Sequence, residues 1–281
     1  MIERALWKRK SIDIAIKGIS VLGGIFGLFF LVWILYEVLV RGISAINLDF
    51  FIELPQPIGQ TGGGLSNAIV GTVYITLLAT VLGVPVGMLA GVYLSESGQH
   101  SHFAEWVRFT ANILMGTPSI IIGVFVYTLM VVTVGHFSGI AGAIALAIIM
   151  LPVVARTTED MLQMIPNEIR ESALAIGINR WRVTLQILFR SARSGLITGV
   201  LLAIARVSGE TAPLLFTALN SPFWPVSLND ATANLTVTIF NYAMSPYTDW
   251  QRMAWGASFL ITFAVLILNI FARIGFREKR G

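Results

Sequence analysis

The chain alternates long apolar stretches with short charged ones. A membrane-crossing helix needs about 20 predominantly apolar residues, so runs free of Asp, Glu, Lys and Arg mark the candidates. Nineteen such residues lie between Lys17 and Glu37, 42 between Glu53 and Glu96, 47 between Arg108 and Arg156, and 20 between Arg252 and Arg273. The first third of the 42-residue run, with Pro55, Pro57, Gly59 and Gly62 to Gly64, is turn chemistry, and its later part is the span. The 47-residue run has room for two spans, parted by the tight Gly135-His136-Phe137-Ser138-Gly139 hairpin. A fifth span, interrupted by two charges, runs from Gly195 to Leu219.

The pattern predicts an all-α fold, a polytopic membrane helix bundle with six transmembrane helices over about 18–40, 70–94, 109–134, 139–155, 195–219 and 253–273. These form one transmembrane domain, 18–281, behind a basic tail, 1–17, with a long connecting loop at 157–194. Residues 231–248 are also uncharged, but Asn234, Asn241, several threonines and Pro246 make them a surface or interfacial segment. The basic N-terminus is not a signal peptide, because its apolar stretch is too long and no small-residue cleavage site follows. It reads as a retained span.

Composition agrees. Of 281 residues, 56% are hydrophobic and 12% charged, against about 45–50% and 25% in soluble domains. That excludes disorder, a nucleic-acid-binding domain and a water-soluble enzyme, and makes the lipid bilayer the solvent. With no cysteine, disulfide frameworks, thiolate metal sites and cysteine nucleophiles are also excluded. No catalytic group, metal site or cofactor is assigned.

The basic residues set orientation. Sixteen of the 19 Lys and Arg fall in the tail, the 2–3 loop, the 4–5 loop and the C-terminal tail (Arg273, Arg277, Lys279, Arg280), two fall in the opposite loops, and Arg206 remains inside a span. By the positive-inside rule both termini are cytoplasmic.

Arg206 opens the candidate chemistry. An ionisable residue within a span costs several kcal/mol and is a functional hypothesis by default. In Arg206-Val-Ser-Gly-Glu210 the two charges stand at i and i+4 and share a face of a continuous helix. A structural ion pair is the alternative, although the favoured intrahelical order places Glu first. Pro213 cannot donate to the carbonyl of Gly209, leaving an open acceptor. A charged pair beside a broken ladder resembles the wall of a polar pathway. A guanidinium matches a tetrahedral oxyanion through paired hydrogen bonds, so the cargo class is an anion, with phosphate, sulfate, molybdate and carboxylate all open.

The 4–5 loop carries the second signal. Pro166-Asn167-Glu168 reads as a helix start with Asn167 as cap and Glu168 and Glu171 in the first turns, and Gly177 reads as the stop. Ile169, Ala173 and Ile176 line one side. This short helix, beside Arg180, Trp181 and Arg182, fits either docking on another protein or lying on anionic lipid. Pro85, Pro118 and Pro152 each break a span's backbone ladder and lend weak support to a polar cavity. Gly62 to Gly64 is an outer turn before it is an anion nest, and His100, His102 and His136 carry no recognisable set. Asn234-Leu-Thr236 is a formal glycosylation sequon of low specificity. A phosphate-binding P-loop needs Gly directly before its Lys, but the four lysines follow Trp7, Arg9, Ile16 and Glu278. Any ATP-driven function therefore needs a partner.

Together these motifs resemble a known family. Glu171-Ser172-Ala173, then Gly177, then Ile187 is similar to the EAA-x3-G-x9-I-x-LP loop of binding-protein-dependent ABC importer permeases, with Ser172 replacing the second Ala and Phe189-Arg190 replacing Leu-Pro. The run from Arg206 through Gly-Glu-Thr-Ala-Pro-Leu-Leu to Asn220, with Phe223-Trp224-Pro225, resembles the phosphate-importer branch, as do Gly71-Thr-Val73, Gly116-Thr-Pro-Ser119 and Leu151-Pro-Val-Val-Ala-Arg-Thr157.

The resemblance implies the type I ABC importer permease fold in a bacterial inner membrane, with ATP hydrolysis left to partners. It implies a second permease subunit, a pair of ATP-binding subunits, a periplasmic phosphate-binding protein and inorganic phosphate as cargo. Glu171, Ser172, Ala173, Gly177 and Ile187 would couple to the ATPase, and Arg206, Glu210, Thr211 and Pro213 would line the substrate pathway. The rivals are a permease for sulfate or molybdate, a membrane scaffold or signalling subunit, and an ion-coupled secondary carrier, against which the lack of a visible inverted repeat argues.

Overall fold

A computed structural model describes residues 2–57, 59–60, 62–98 and 101–275. His100 and the C-terminal Arg277, Lys279 and Arg280 lie outside the described residues. Helix α1 (Ile2–Ile43) is 42 residues long and runs back through the basic stretch expected as a tail. Lys and Arg are good helix formers, so nothing there stops the helix. Helix α2 (Leu48–Ile52) is capped by Asn47, whose side chain accepts from Phe50 N at 2.8 Å. Helix α3 (Ser66–Val92) ends in a π-helical turn, Tyr93–Ser97.

The expected third span is not one straight helix. Helices α4 (His102–Gly116) and α5 (Ser119–Val126) meet at 104°. Pro118 lacks an N–H and pushes the residue before it into extended backbone, which Thr117 adopts at ψ 131°. A π turn (Tyr127–Val131) and α6 (Val132–Val134) complete the segment, and Gly135 at φ +87° ends it. Pro118 thus caps α5 instead of breaking a helix, whereas Pro85 and Pro152 lie inside theirs.

Helix α7 (Gly139–Gln163) starts at Ser138, whose hydroxyl accepts from Ala141 N at 3.1 Å. The short helices α8 (Asn167–Ala175) and α9 (Arg180–Arg182) follow, then a π turn (Val183–Leu188) leading into α10 (Phe189–Ser208). Helices α11 (Ala212–Thr217), α12 (Leu235–Ala243) and α13 (Thr248–Gly275) complete the chain. Among the described residues five helices are long and apolar enough to cross a membrane, or six crossings if the bent α4–α6 segment is one. The segment at 231–248, expected at the surface, instead contains α12, whose first residues are buried.

The core is the seam between α3 and α7, where Gly83, Gly87 and Gly91 face the partner helix. A Cβ on Gly87 would lie 2.8 Å from Val154 Cβ, and one on Gly91 would lie 2.5 Å from the Ala155 carbonyl oxygen. Without an apolar solvent difference to drive helices together in lipid, such small residues let backbones approach and gain packing. Ile75 and Ala79 of α3, Leu146, Met150 and Val154 of α7, and Ala203 and Val207 of α10 form one buried cluster. A second cluster around Phe50, Leu65 and Tyr242 fills one end, and a third around Leu162, Ala173 and Leu188 fills the other.

Candidate functional site

Helix α10 ends at Ser208, and Gly209 to Thr211 are unwound. Arg206 and Glu210 therefore do not stand four residues apart on one helix face. Among the described residues no ion pair joins them. The sequence order of the two charges already disfavoured such a pair, and the break removes its geometry. Pro213 is likewise not a fault in a ladder. It sits in the first turn of α11, where the missing N–H would have no intrahelical partner anyway. Its buried ring region abuts α5, and a Cβ on Gly123 would lie 2.5 Å from Pro213 Cα. Thr211 stands at the cap position of α11, with its carbonyl accepting from Leu214 N at 3.1 Å and Leu215 N at 3.2 Å.

This break is held from outside. Thr236 donates its hydroxyl to the Glu210 carbonyl at 2.8 Å, and the Thr236 Oγ1 lies 3.0 Å from Asn234 Oδ1. Asn234 caps α12 by accepting from Val237 N, and Leu235 N donates to Thr72 Oγ1 of α3 at 2.8 Å. Thr232, Asn234, Thr236 and Thr238 are all buried. Two of the polar residues that argued against burial of this segment, Thr236 and Asn234, donate to the Glu210 and Leu219 carbonyls on either side of α11.

Depth and exposure give Arg206 its interest. Its neighbour Val207 is buried in the cluster with Leu146, Met150 and Val154, halfway along α7, so Arg206 lies at mid-bundle. Yet Arg206 is exposed on this chain. A cation held at that depth against hydrocarbon is costly, so its face requires protein or water beyond this chain.

The second arrangement lies at the other end of α7. Helix α8 begins one residue earlier than expected, with Pro166 at the cap position and Asn167, the expected cap, as first residue. It stops as expected. Gly177 takes φ +83°, its N–H donates to Leu174 O at 3.0 Å, and Ile178 N donates to Ala173 O at 3.2 Å. These two bonds are the Schellman closure, which needs a left-handed residue at that position. Glu171 and Ser172 are exposed, Ala173 is buried, and Ile187 packs on the cluster that holds Ala173 and Leu188.

Arg108, Arg156 and Arg170, loop charges in the sequence, are all paired in the structure. Glu159, 2% exposed, accepts from Arg108 Nε at 2.7 Å and Gln163 Nε2 at 3.1 Å, and lies 3.5 Å from Arg156 Nη1. Arg170 pairs with Glu96 at 3.0 Å. Below α8 lies a cavity of about 940 Å³ whose lining includes Met88, Glu96, Arg170, Leu174 and Trp181. Toward the other end, a cavity of about 510 Å³ includes Asn67, Asn220, Tyr242 and Trp250. There Tyr242 stacks on Trp250 at 4.5 Å, and burial pushes its phenol above the usual range.

A multi-pass helical bundle with one span unwound beside a mid-depth arginine, and a capped helix projecting at one end, defines a membrane transport permease. The chain belongs to the family of binding-protein-dependent transport system inner membrane components, whose pattern matches residues 83–277. It is 48% identical to the phosphate transport system permease protein PstA of Yersinia pestis, covering 99% of this chain and 94% of the relative. To the protein of the same name in Haemophilus influenzae it is 49% identical, over 99% and 98%. Among solved structures, a bacterial alginate ABC transporter in complex with an alginate-bound periplasmic protein is similar at a TM-score of 0.67 and 16% identity, covering 97% of each chain. The fold is that of the type I ABC importer permeases.

Proposed function

We propose that this chain is the membrane-spanning permease subunit of an ATP-driven importer that moves inorganic phosphate into the bacterial cytoplasm. It sits in the inner membrane with both termini cytoplasmic, and residues 18–281 act as one transmembrane domain. A second, sister permease completes the channel, a pair of ATP-binding subunits hydrolyses ATP, and a periplasmic phosphate-binding protein delivers the cargo. The names of the relatives support the cargo and the assembly, and the arginine tally supports the orientation.

One observation carries the reading, the exposed Arg206 at mid-bundle beside an unwound turn. Its guanidinium stays charged at any relevant pH and offers paired donors to a tetrahedral oxyanion. Glu210, Thr211 and the Pro213 turn line the pathway with it. Glu210 limits how tightly the arginine holds its anion, since conduction needs release as well as capture. At the cytoplasmic end, Glu171 and Ser172 present the outer face of α8 to the ATPase, and Ala173, Gly177 and Ile187 seat that helix.

The test is radiolabelled phosphate uptake in cells without their own high-affinity system, expressing this chain with its partner subunits. Uptake that is restored by the parent chain and abolished by Arg206→Ala, with the complex still assembled, is expected. Uptake that survives Arg206→Ala removes the residue from the pathway. An assembled complex that transports sulfate or molybdate but no phosphate overturns the cargo.

A further inference from the structure

Arg170 is the side chain of α8 that reaches back into the membrane domain. It is 13% exposed and makes bonds to two different spans. Its Nη2 donates to Leu162 O at 2.6 Å in the last turn of α7, and its Nη1 to Ile165 O at 2.5 Å just past that helix. The last carbonyls of a helix lack intrahelical partners, and a cation there also meets the negative end of the helix dipole. From the same guanidinium, Nη2 donates to Glu96 Oε1 at 3.0 Å, and Nε lies 3.3 Å from both Glu96 oxygens. Glu96 stands in the π turn that ends α3.

Alongside, Arg108 of α4 donates to Leu94 O in that same turn at 3.0 Å and to Glu159 of α7. Two guanidiniums thus tie together the inner ends of α3, α4, α7 and α8. Apart from Arg170, α8 has little hold on the bundle. Ala173 is its one buried residue, and the cavity of about 940 Å³ undercuts it beside Leu174.

We propose that Arg170 is the joint through which a displacement of α8 reaches α3 and α7, a positioning residue for transport and not a docking residue for the ATPase. This rests on the reading that α8 receives the ATPase. A planar fork is required because one side chain must hold two carbonyls and a carboxylate in fixed directions, which an ammonium cannot match.

The experiment uses the full complex, with both permeases, the ATP-binding subunits and the phosphate-binding protein, reconstituted in proteoliposomes. Co-purification of the ATPase, ATP hydrolysis and phosphate carried per ATP are read for Arg170→Gln, Arg170→Lys and Glu96→Gln. Co-purification and hydrolysis should persist, while phosphate per ATP falls on the order of tenfold in Arg170→Gln, the range of ordinary inter-site coupling. Arg170→Lys and Glu96→Gln should fall between that variant and the parent. An unchanged ratio in Arg170→Gln overturns the joint. If Arg170→Gln fails to assemble, full parent ratios in Arg170→Lys and Glu96→Gln overturn it equally. A parent complex without phosphate uptake, or an ATPase that remains bound after Gly177→Val, overturns the reading of α8 instead.

Discussion

Removing Arg108 should cost more than removing its partner Glu159. The Glu159 carboxylate is 2% exposed, and its shortest contact is Arg108 Nε at 2.7 Å, while the Arg108 side chain itself is 25% exposed. Truncating one partner of a buried ion pair costs about 3–5 kcal/mol, because the other charge is left buried and uncompensated. In Arg108→Ala, Arg156 at 3.5 Å and Gln163 at 3.1 Å remain to share that burden, so the lower end, about 3 kcal/mol, is expected. In Glu159→Gln, Arg108 keeps the Leu94 carbonyl and a route to water, and the loss should be roughly half as large. The double variant Arg108→Met/Glu159→Gln buries no charge and should recover much of the single Arg108 loss. The assay is the apparent melting temperature of the purified complex at one scan rate. At about 2–4 °C per kcal/mol for a chain of this size, Arg108→Ala should melt on the order of 10 °C lower. Equal losses from the two single variants, or additive losses in the double variant, would refute the argument that burial of Glu159 is the governing term.

Three further outcomes follow from the geometry. Gly177→Val forces a β-branched side chain into φ +83° at a cost of about 1–2 kcal/mol, so α8 should fray and the ATPase subunits should co-purify poorly; normal recovery would show that the closure is dispensable. Thr236→Val leaves the half-buried Glu210 carbonyl without its 2.8 Å donor, a loss of about 1 kcal/mol. Phosphate uptake should fall in that variant and be largely kept in Thr236→Ser, and equal uptake in both would argue that the hydroxyl does not hold the break. Gly123→Val drives a side chain into Pro213, whose Cα would stand 2.5 Å from the new Cβ. Overpacking of about 1–3 kcal/mol should lower both complex stability and uptake, and parental values for both would falsify the close approach.

What was readable from the sequence followed from charge avoidance. Lipid excludes unpaired charge, so the uncharged runs located the long apolar helices. The same rule hides breaks. Gly116-Thr117-Pro118 is uncharged, and a count of apolar residues passes through it although the helix turns by 104° there. It also misleads at Arg206 and Glu210, where i and i+4 spacing has meaning only in an unbroken helix, and the helix stops at Ser208. Gly177 was legible because a left-handed closure is a local event. Arg108 with Glu159 and Arg170 with Glu96 were not, because the partners lie 51 and 74 residues apart and meet only once the helices pack. In α12, the threonines and Asn234 signalled surface, when the Thr236 hydroxyl serves the Glu210 carbonyl in the break after α10 and Asn234 caps α12 itself.

Helix α1 bears on how the molecule is made. At 42 residues it is about 63 Å long, roughly twice the hydrocarbon thickness. None of its apolar stretch is buried, and its main helical neighbour is α13. At the far end of α1, Gly42 abuts Phe259 and Arg41 lies 5.1 Å over the Trp255 ring. Helix α13 begins at Thr248, so at about 5–20 residues per second the ribosome delivers it on the order of 10 to 40 s after α1. For that interval the charge-free stretch 18–36 of α1, exposed along its whole length, lacks its α13 neighbour. A nascent chain arrested before Thr248 should therefore hold α1 in the bilayer, inserted and undocked.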